Sequence, residues 1–285
     1  MNVATVQLSA RDDPEANRER AESRIRAAAA DGADLVVLPE MWPVGYFAFD
    51  AYRDAAEPVP GPTTDRLAAL AGELSIHLHG GSLIECDSDG EDADLYNTSV
   101  LFGPDGTLLD TYRKIHLFGY DSEESELLTP GSQPCAVDTD IGTVGLTTCY
   151  DLRFPELYRS LVDSGVEILL VTSAWPRERI DHWHLFARTR AVENQAIVVT
   201  ANLTGSIGGV ELGGESVVVD PWGVERSNAG AEAGRAHANV GLDEARESRG
   251  EQEPHSTPQQ RVCDDRGHEV RRDAVGEVLD VGLAG

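Results

Sequence analysis

Between residues 3 and 220, short apolar runs typical of strands alternate with longer segments in which apolar residues recur at helical spacing. Short apolar runs predict strands at 3–8, 35–38, 76–84, 97–102, 107–112, 143–148, 167–172, 196–201 and 215–220. Longer segments with helical spacing, most of them opening on a proline or an acidic residue, predict helices at 13–30, 63–74, 155–164 and 183–194. Because strands alternate with helices, the pattern predicts an α/β domain with buried sheets.

The pattern changes after residue 243. From about residue 248 to residue 272 the chain is rich in Gly, Pro, Gln, Arg and Asp, and apolar residues show almost no period. Such a composition is typical of a disordered or peripheral segment. We therefore expect one domain over residues 1–243, followed by an atypical polar tail over residues 244–285.

Length, charge and apolar runs narrow the class of protein. The 285 residues, 41% of them apolar, suffice for a substantial core. The apolar runs are too short to cross a bilayer, and the N-terminal residues lack the features of a signal peptide, so we expect a cytoplasmic protein. The net charge of −27 argues against nucleic acid and anionic membranes as partners.

The cysteines and the lysine are the first candidates for chemistry. Cysteines stand at positions 86, 135, 149 and 263 without metal-ligand spacing, and in a cytoplasm they should be reduced. Lys114 is the one lysine among 23 Lys and Arg residues, and it lies in the semi-apolar run YRKIHLF at 112–118. Lys114 is either present by chance in a lysine-poor chain or retained because the chemistry of the site requires a compact ammonium.

Three reactive side chains follow predicted strands. Glu40 ends the run LVVLPE at 35–40, where partial desolvation raises a carboxyl pKa, although an ion pair or a helix start is the alternative. Cys149 stands at a strand-to-helix turn, which lowers a thiol pKa and supplies oxyanion donors if the cysteine is not an inert buried one. With Lys114 they form a set suited to acyl transfer.

Four sequence blocks resemble those of the nitrilase superfamily, the carbon–nitrogen hydrolases. They are PE at 39–40, YRKIHL at 112–117, CYDLRFPEL at 149–157 and RTRAVENQ at 188–195, in the family's order and with similar spacing, within a resemblance over residues 1–243. The resemblance implies a four-layer α-β-β-α sandwich, a homodimer, and no metal or organic cofactor. It implies Glu40 as general base and acid, Lys114 as oxyanion stabiliser together with the Tyr150 N–H, and Cys149 as nucleophile.

The family often carries a further glutamate in the loop after the lysine. Here the loop reads DSEESELLTPG at 121–131, and Glu124, followed by serine, best matches the family's pattern. The resemblance implies that Glu124 orients Lys114 or positions the substrate amide. Glu123 is the alternative, as is a solvated acidic loop.

A finer resemblance indicates the substrate class. CYDLRFP at 149–155 and AWPRER at 174–179 are similar to the omega-amidase and deaminated-glutathione amidase branch, which acts on small amides bearing a carboxylate. Arg153 either binds that carboxylate or pairs with Glu156, and Trp175 either walls the pocket or belongs to the core. An N-carbamoyl amine or amino-acid amidohydrolase is the main alternative, a nitrilase proper matches less well, and a non-catalytic binding protein is the alternative from another class.

The C-terminal segment departs from the family. Relatives continue into a short Pro/Arg-rich segment that helps to pack the dimer, whereas this chain continues as GEQEPHSTP at 250–258. A reading-frame change near residue 249 is one explanation, and a genuine extension is the other. Cys263 and His268 lie in this segment and receive no role.

The spread of acidic residues with scarce lysine predicts adaptation to a salty cytoplasm. We expect the free energy of unfolding to be higher in molar salt than in dilute buffer, because salt screens repulsion among surface carboxylates. Urea unfolding followed by circular dichroism at both salt concentrations measures this difference. Equal stability in the two conditions would instead describe an ordinary acidic protein.

Overall fold

The computed structural model describes residues 1–9, 11, 13–88, 90, 93–119, 122–251, 261–263 and 269–271. The chain divides into two compact units, Met1–Ala245 and Arg246–Gly285. In the second unit, strands Arg261–Cys263 and Glu269–Arg271 pair antiparallel. Most of the predicted polar tail lies outside the described residues, including His268, so the frame change and the domain boundary stay predictions.

The secondary structure of the first unit alternates strands and helices as expected. Its strands are β1 (Asn2–Gln7), β2 (Leu35–Val37), β3 (His77–Cys86), β4 (Leu95–Phe102), β5 (Leu108–Arg113), β6 (Cys135–Thr139), β7 (Gly142–Thr148), β8 (Ile168–Ser173), β9 (Ile197–Asn202), β10 (Thr204–Ile207), β11 (Val210–Gly213), β12 (Val217–Val219), β13 (Glu225–Asn228) and β14 (Gly234–Asn239). Its helices are α1 (Pro14–Ala30), α2 (Tyr52–Ala55), α3 (Pro62–Leu74), α4 (Glu124–Leu127), α5 (Pro155–Asp163) and α6 (Ile180–Asn194). A further helix, α7 (Leu242–Glu251), was not predicted.

Two six-stranded sheets form the centre of the first unit. One has the order β14-β1-β2-β3-β4-β5, and the other has the order β13-β12-β9-β8-β7-β6. Strands β1, β2 and β3 are parallel, as are β7, β8 and β9, while the strands toward the edges are antiparallel. The carboxyl ends of the parallel strands in each sheet thus share an edge.

The core is arranged in layers. Apolar residues of α1 and α3, such as Ile25 and Leu67, pack on one sheet, and those of α5 and α6, such as Leu161, pack on the other. Between the sheets lie buried side chains that include Val37 and Leu170. This is the four-layer α-β-β-α sandwich that the sequence resemblance predicts.

Local signals explain which elements the sequence revealed. Helix α1 begins after Asp13, whose side chain accepts a hydrogen bond from the N–H of Ala16 at 3.0 Å, and Pro14 occupies its first position. Strand β14 was missed because the buried residues of its alternating pattern include Ala236 and Ala238, whose short side chains give a weak apolar signal. The sequence likewise did not reveal β6, β13 or the β10–β11 hairpin.

A glycine bulge in β3 brings two chain segments close together. Gly81 has a φ of +67°, and a Cβ built on it would lie 2.1 Å from the carbonyl oxygen of Pro39. Trp42 donates its indole N–H to the carbonyl of Gly80 at 2.8 Å. The segment that follows β2 is therefore fixed against β3 immediately before Glu40.

A membrane-spanning helix was not found: within the described ranges, no helix combines the length and apolarity that a bilayer requires.

Gly81→Ala should destabilise the protein more than Gly165→Ala. Both glycines have a positive φ, of +67° and +94°, so both substitutions carry backbone strain of about 1 kcal/mol. Nothing lies within 4 Å of a Cβ at Gly165, whereas a Cβ at Gly81 meets the Pro39 backbone. We expect an additional loss of about 2 kcal/mol for Gly81→Ala in urea unfolding, as is typical of overpacking. Equal losses of unfolding free energy in the two variants would show that the contact between Gly81 and the Pro39 carbonyl does not affect stability.

Candidate active site

Glu40, Lys114 and Glu124 form a cluster of charges that solvent does not reach, with side-chain exposure of 0% for each. The ammonium of Lys114 lies 2.9 Å from Glu40 Oε1, 3.0 Å from Glu124 Oε1 and 2.9 Å from Glu124 Oε2. Glu40 follows β2, Lys114 follows β5, and Glu124 begins α4. The fold thus brings together three groups that are far apart in sequence.

Neutral donors complete the hydrogen bonding of Glu40. Asn97, on β4, donates its amide to Glu40 Oε1 at 2.8 Å and to Glu124 Oε1 at 2.9 Å. The backbone N–H of Ala174 donates to Glu40 Oε2 at 2.9 Å. Both carboxylates are consequently fixed in orientation as well as paired.

Glu124 receives two further donors on its Oε2. The hydroxyl of Tyr46 lies at 3.0 Å and the backbone N–H of Phe118 at 2.7 Å. Glu123, the alternative considered from sequence, is exposed. Of the two glutamates, the structure places only Glu124 beside Lys114.

Cys149 lies at the turn after β7, where a 3-10 helix spans Cys149–Arg153. Its φ of +48° is in the left-handed region, which few residues with a side chain adopt. The thiol lies close enough to Glu40 and Lys114 for the charges of both to act on its pKa, and it lines one pocket with Ala174. Thiol, carboxyl and ammonium therefore converge on one place.

The titration behaviour of the cluster follows from burial and from an excess of negative charge. Burial raises the pKa of Glu40, Lys114 lowers it in part, and Glu124 raises it again. Burial alone would lower the pKa of Lys114, but the negative charges of Glu124 and Glu40 raise it above its usual value. Lys114 is thus a permanent cation, and Glu40 has a carboxyl pKa shifted toward neutrality.

The expectation of a lowered thiol pKa at Cys149 was wrong. Burial raises the pKa of this thiol, the charge of Glu40 raises it further, and Lys114 only partly opposes them. The sequence showed the turn but not the depth of the thiol or the carboxylate beside it. The resting group is a thiol, and a base must remove its proton during attack.

A narrow pocket opens beside the thiol. Its walls are aromatic and cationic, and they include Tyr150, Arg153 and Trp175 as well as Tyr46, Phe47, Phe118, Ala174, Pro176 and Arg179. All three residues proposed from sequence to contact substrate therefore line the same pocket as Cys149.

Arg153 has aromatic neighbours in this pocket. Its guanidinium carbon lies 5.4 Å from the ring centre of Trp175 and 5.7 Å from that of Tyr150. Its Nη2 lies 3.3 Å from His182 Nδ1. The alternative pairing with Glu156 does not form, and no carboxylate in the described part of the chain makes an ion pair with Arg153.

Sequence reasoning missed Asn97 and Tyr46, which bond to the buried glutamates. Asn97 was recognised only as the start of a strand, although an amide on a buried strand face is a signal for a polar partner. Tyr46 gave no local signal, since its role depends on Glu124, a neighbour across the fold. Within the described residues, no group of three or more His, Cys, Asp or Glu side chains is arranged to hold a metal ion.

The family model for carbon-nitrogen hydrolases matches residues 2–249. The chain belongs to the carbon-nitrogen hydrolase family. It is 39% identical over 255 residues to a 2-oxoglutaramate amidase of Paenarthrobacter nicotinovorans, covering 87% of this chain and 86% of that protein. It is 40% identical over 257 residues to the omega-amidase NIT2 of Homo sapiens, covering 87% and 91%.

A solved structure supports the same assignment. The chain matches a variant of the amidase from Nesterenkonia sp. AN1 with a TM-score of 0.77 and 29% identity, over 86% of this chain and 92% of that one. That structure shows covalent addition of the acetamide moiety of fluoroacetamide at the active-site cysteine of the amidase. The predicted superfamily, its sandwich fold and the enzyme class of amidase are confirmed.

Glu40→Gln should lower the pKa of the Cys149 thiol while abolishing turnover of amides. The substitution removes the nearby negative charge that raises the thiol pKa and leaves the opposing charge of Lys114 in place. We expect the rate of alkylation by iodoacetamide, measured by mass spectrometry against pH, to reach its midpoint at lower pH than in the unsubstituted protein.

Two comparisons make the alkylation experiment specific. Glu57→Gln replaces another buried glutamate, whose carboxylate accepts hydrogen bonds from the Thr63 N–H, and should leave the midpoint unchanged. Cys135, whose pKa burial raises to about 12, should react slowly in every variant. An unchanged or higher midpoint for Cys149 in Glu40→Gln would contradict the electrostatic account.

Proposed function

We propose that this protein hydrolyses the terminal amide of a small acid that carries a carboxylate, through a thioester on Cys149, and releases ammonia. The observation that carries the proposal is the guanidinium of Arg153 in the thiol pocket, without a carboxylate partner among the described residues. Because the chain has 50 acidic residues and 23 Lys and Arg, a cation beside the nucleophile without such a partner favours an anionic substrate.

The relatives support this substrate class. A protein 39% identical to the chain is named as an amidase of 2-oxoglutaramate, a compound that bears an amide and a carboxylate. Another, 40% identical, is named as an omega-amidase. The pocket beside the thiol is narrow and lined by aromatic side chains, which suits a short acyl chain.

The chemistry follows from the protonation states. Glu40 accepts the thiol proton as the sulfur of Cys149 attacks the amide carbon, since the thiol pKa is too high for a standing thiolate. Lys114 and the Tyr150 N–H stabilise the tetrahedral oxyanion. The carbon–nitrogen bond breaks as Glu40 gives the proton to the leaving nitrogen, which departs as ammonia.

Deacylation reverses the proton flow. Glu40 takes a proton from a water molecule, whose oxygen attacks the thioester carbon. The carbon–sulfur bond then breaks, and Glu40 returns the proton to the thiolate of Cys149. Its raised pKa suits both transfers near neutral pH.

Arg153→Met tests the substrate class. The change removes the charge but keeps a long side chain against the aromatic walls. It should lower kcat/KM for succinamate or 2-oxoglutaramate about 10- to 100-fold, which corresponds to the free energy of a hydrogen bond to a charged group. Turnover of a neutral amide such as butyramide should change little. Ammonia release, measured enzymatically for each substrate, gives these ratios.

Controls separate this proposal from its alternatives. Arg159→Met removes an arginine of α5 that bonds the carbonyl of Glu193 outside the thiol pocket, and it should leave the ratios unchanged. Cys149→Ala should abolish release. Carbon dioxide released from an N-carbamoyl compound would favour the carbamoyl hydrolase, and an equal loss for charged and neutral amides in Arg153→Met would contradict a carboxylate contact.

A further inference from the structure

Asp151 takes no part in the proposed reaction, yet its carboxylate is completely buried two residues after Cys149. Its Oδ2 accepts a hydrogen bond from the N–H of Thr148 at 2.9 Å and another from the hydroxyl of Tyr112 at 2.8 Å. Its Oδ1 accepts from the N–H of His116 at 3.1 Å and lies 2.7 Å from Nδ1 of the same residue. Each carboxylate oxygen is thus held from two sides.

These partners flank the reactive groups in the sequence. Thr148 immediately precedes Cys149, while Tyr112 and His116 stand two residues before and two residues after Lys114. One carboxylate therefore bonds to both chain segments that carry the groups acting on the carbonyl carbon.

We propose that Asp151 is a positioning residue, which ties the turn of Cys149 to the segment of Lys114 and so sets the distance between thiol and ammonium. The inference rests on the proposed function for the roles of those two groups. The tie itself is a matter of hydrogen bonds between two segments of the chain.

The turn needs such a restraint. Cys149 has a φ of +48°, a conformation that persists only where surrounding contacts fix it. The bond from the Thr148 N–H fixes the residue before it, and on the other side Arg190 donates to the carbonyl of Leu152 at 2.6 Å. Restraints therefore act on both sides of the residue with the unusual backbone.

A ring contact adds a second tie between the same segments. His116 stacks on Phe154, with ring centres 3.6 Å apart and an angle of 6° between the planes. Phe154 directly follows the 3-10 helix that Cys149 opens, and its N–H donates to the carbonyl of Asp151 at 2.9 Å. The stack holds the imidazole in the orientation in which Nδ1 meets the carboxylate.

The chemistry at this position requires a carboxylate. Each of its oxygens accepts from a backbone N–H, of Thr148 on one side and of His116 on the other, and a backbone donor cannot reverse its role. An asparagine has one acceptor oxygen, so in either orientation its NH₂ faces one of these N–H groups. Asp151→Asn therefore breaks the tie on one side while nearly preserving the shape of the side chain.

Asp151→Asn should lower kcat for amide hydrolysis about 100-fold, the effect of a displacement of about 1 Å between reacting groups. KM should change little, because Arg153 and Trp175 are untouched. Alkylation of Cys149 by iodoacetamide should shift to higher pH, since a more distant Lys114 opposes the rise in thiol pKa less. If the Asp151 carboxylate served stability alone, the folded fraction of the variant would keep the kcat and the alkylation profile of the unsubstituted protein.

Asp220→Asn is the matched control. Asp220 is also buried: in the turn between β12 and β13 its Oδ1 accepts from the N–H groups of Trp222 at 2.9 Å and Val224 at 3.0 Å, and its Oδ2 accepts from Arg226 at 3.2 Å, an ion pair that asparagine cannot form. It belongs to no part of the thiol pocket. This variant should lower the thermal unfolding midpoint but keep the kcat and the alkylation profile of the unsubstituted protein.

A milder variant keeps the experiment decisive if Asp151→Asn does not fold. His116→Gln removes the stack on Phe154 and the ring nitrogen while keeping the backbone bond, and it should lower kcat about 10-fold. Unchanged kcat and an unchanged alkylation profile in the variant that folds would overturn the proposal. If the unsubstituted protein hydrolyses no amide, the proposed function fails, while the alkylation profile still decides whether Asp151 ties the two segments.

Discussion

Lys114 donates its ammonium protons to oxygens of Glu40 and Glu124 in a region from which solvent is excluded. Removing one partner of such a buried pair typically costs about 3–5 kcal/mol, because an uncompensated charge remains. Two carboxylates share one ammonium, and the surplus negative charge adds to burial in raising the pKa of Glu40. The interaction that holds three segments of the chain together therefore also raises the pKa of the carboxyl that we propose as the base.

That arrangement has a consequence for stability. A carboxyl whose pKa is higher in the folded protein than in the unfolded chain stabilises the fold at pH below its unfolded pKa, and this contribution is lost as pH rises through the folded pKa. Ionised Glu40 therefore weakens the fold near neutrality, whereas the raised pKa of Lys114 favours the fold until the unfolded lysine loses its proton at about pH 10.4. The site thus gives up some stability, and the raised pKa of Glu40 suits the role of base that we propose for it.

The sequence predicted much of this arrangement but not its interior. Apolar runs and the cap at Asp13 placed most strands and helices, and the positions of Glu40, Lys114 and Cys149 after strands, with the family blocks, indicated their convergence. The contacts of Asn97 depend on strands paired across the fold, so no local pattern contains them. The direction in which the pKa of the Cys149 thiol shifts likewise depends on its burial and on the Glu40 carboxylate, which is distant in sequence but near in space. The homodimer, the cytoplasmic location and salt adaptation stay predictions.

The hydrogen bonds of Lys114 are compatible with the oxyanion role that we propose for it, in addition to its role in holding the site together. In the free protein its donors are directed at Glu40 and Glu124, so a developing oxyanion must take one of them. The hydrogen bond from Lys114 to Glu124 Oε2 is the least costly one to break, because the Tyr46 hydroxyl and the Phe118 N–H also donate to that oxygen. In the proposed reaction, the neutral donors around Glu124 would keep its charge solvated while the ammonium turned toward substrate. Arginine, with its rigid planar fork, could not make that turn.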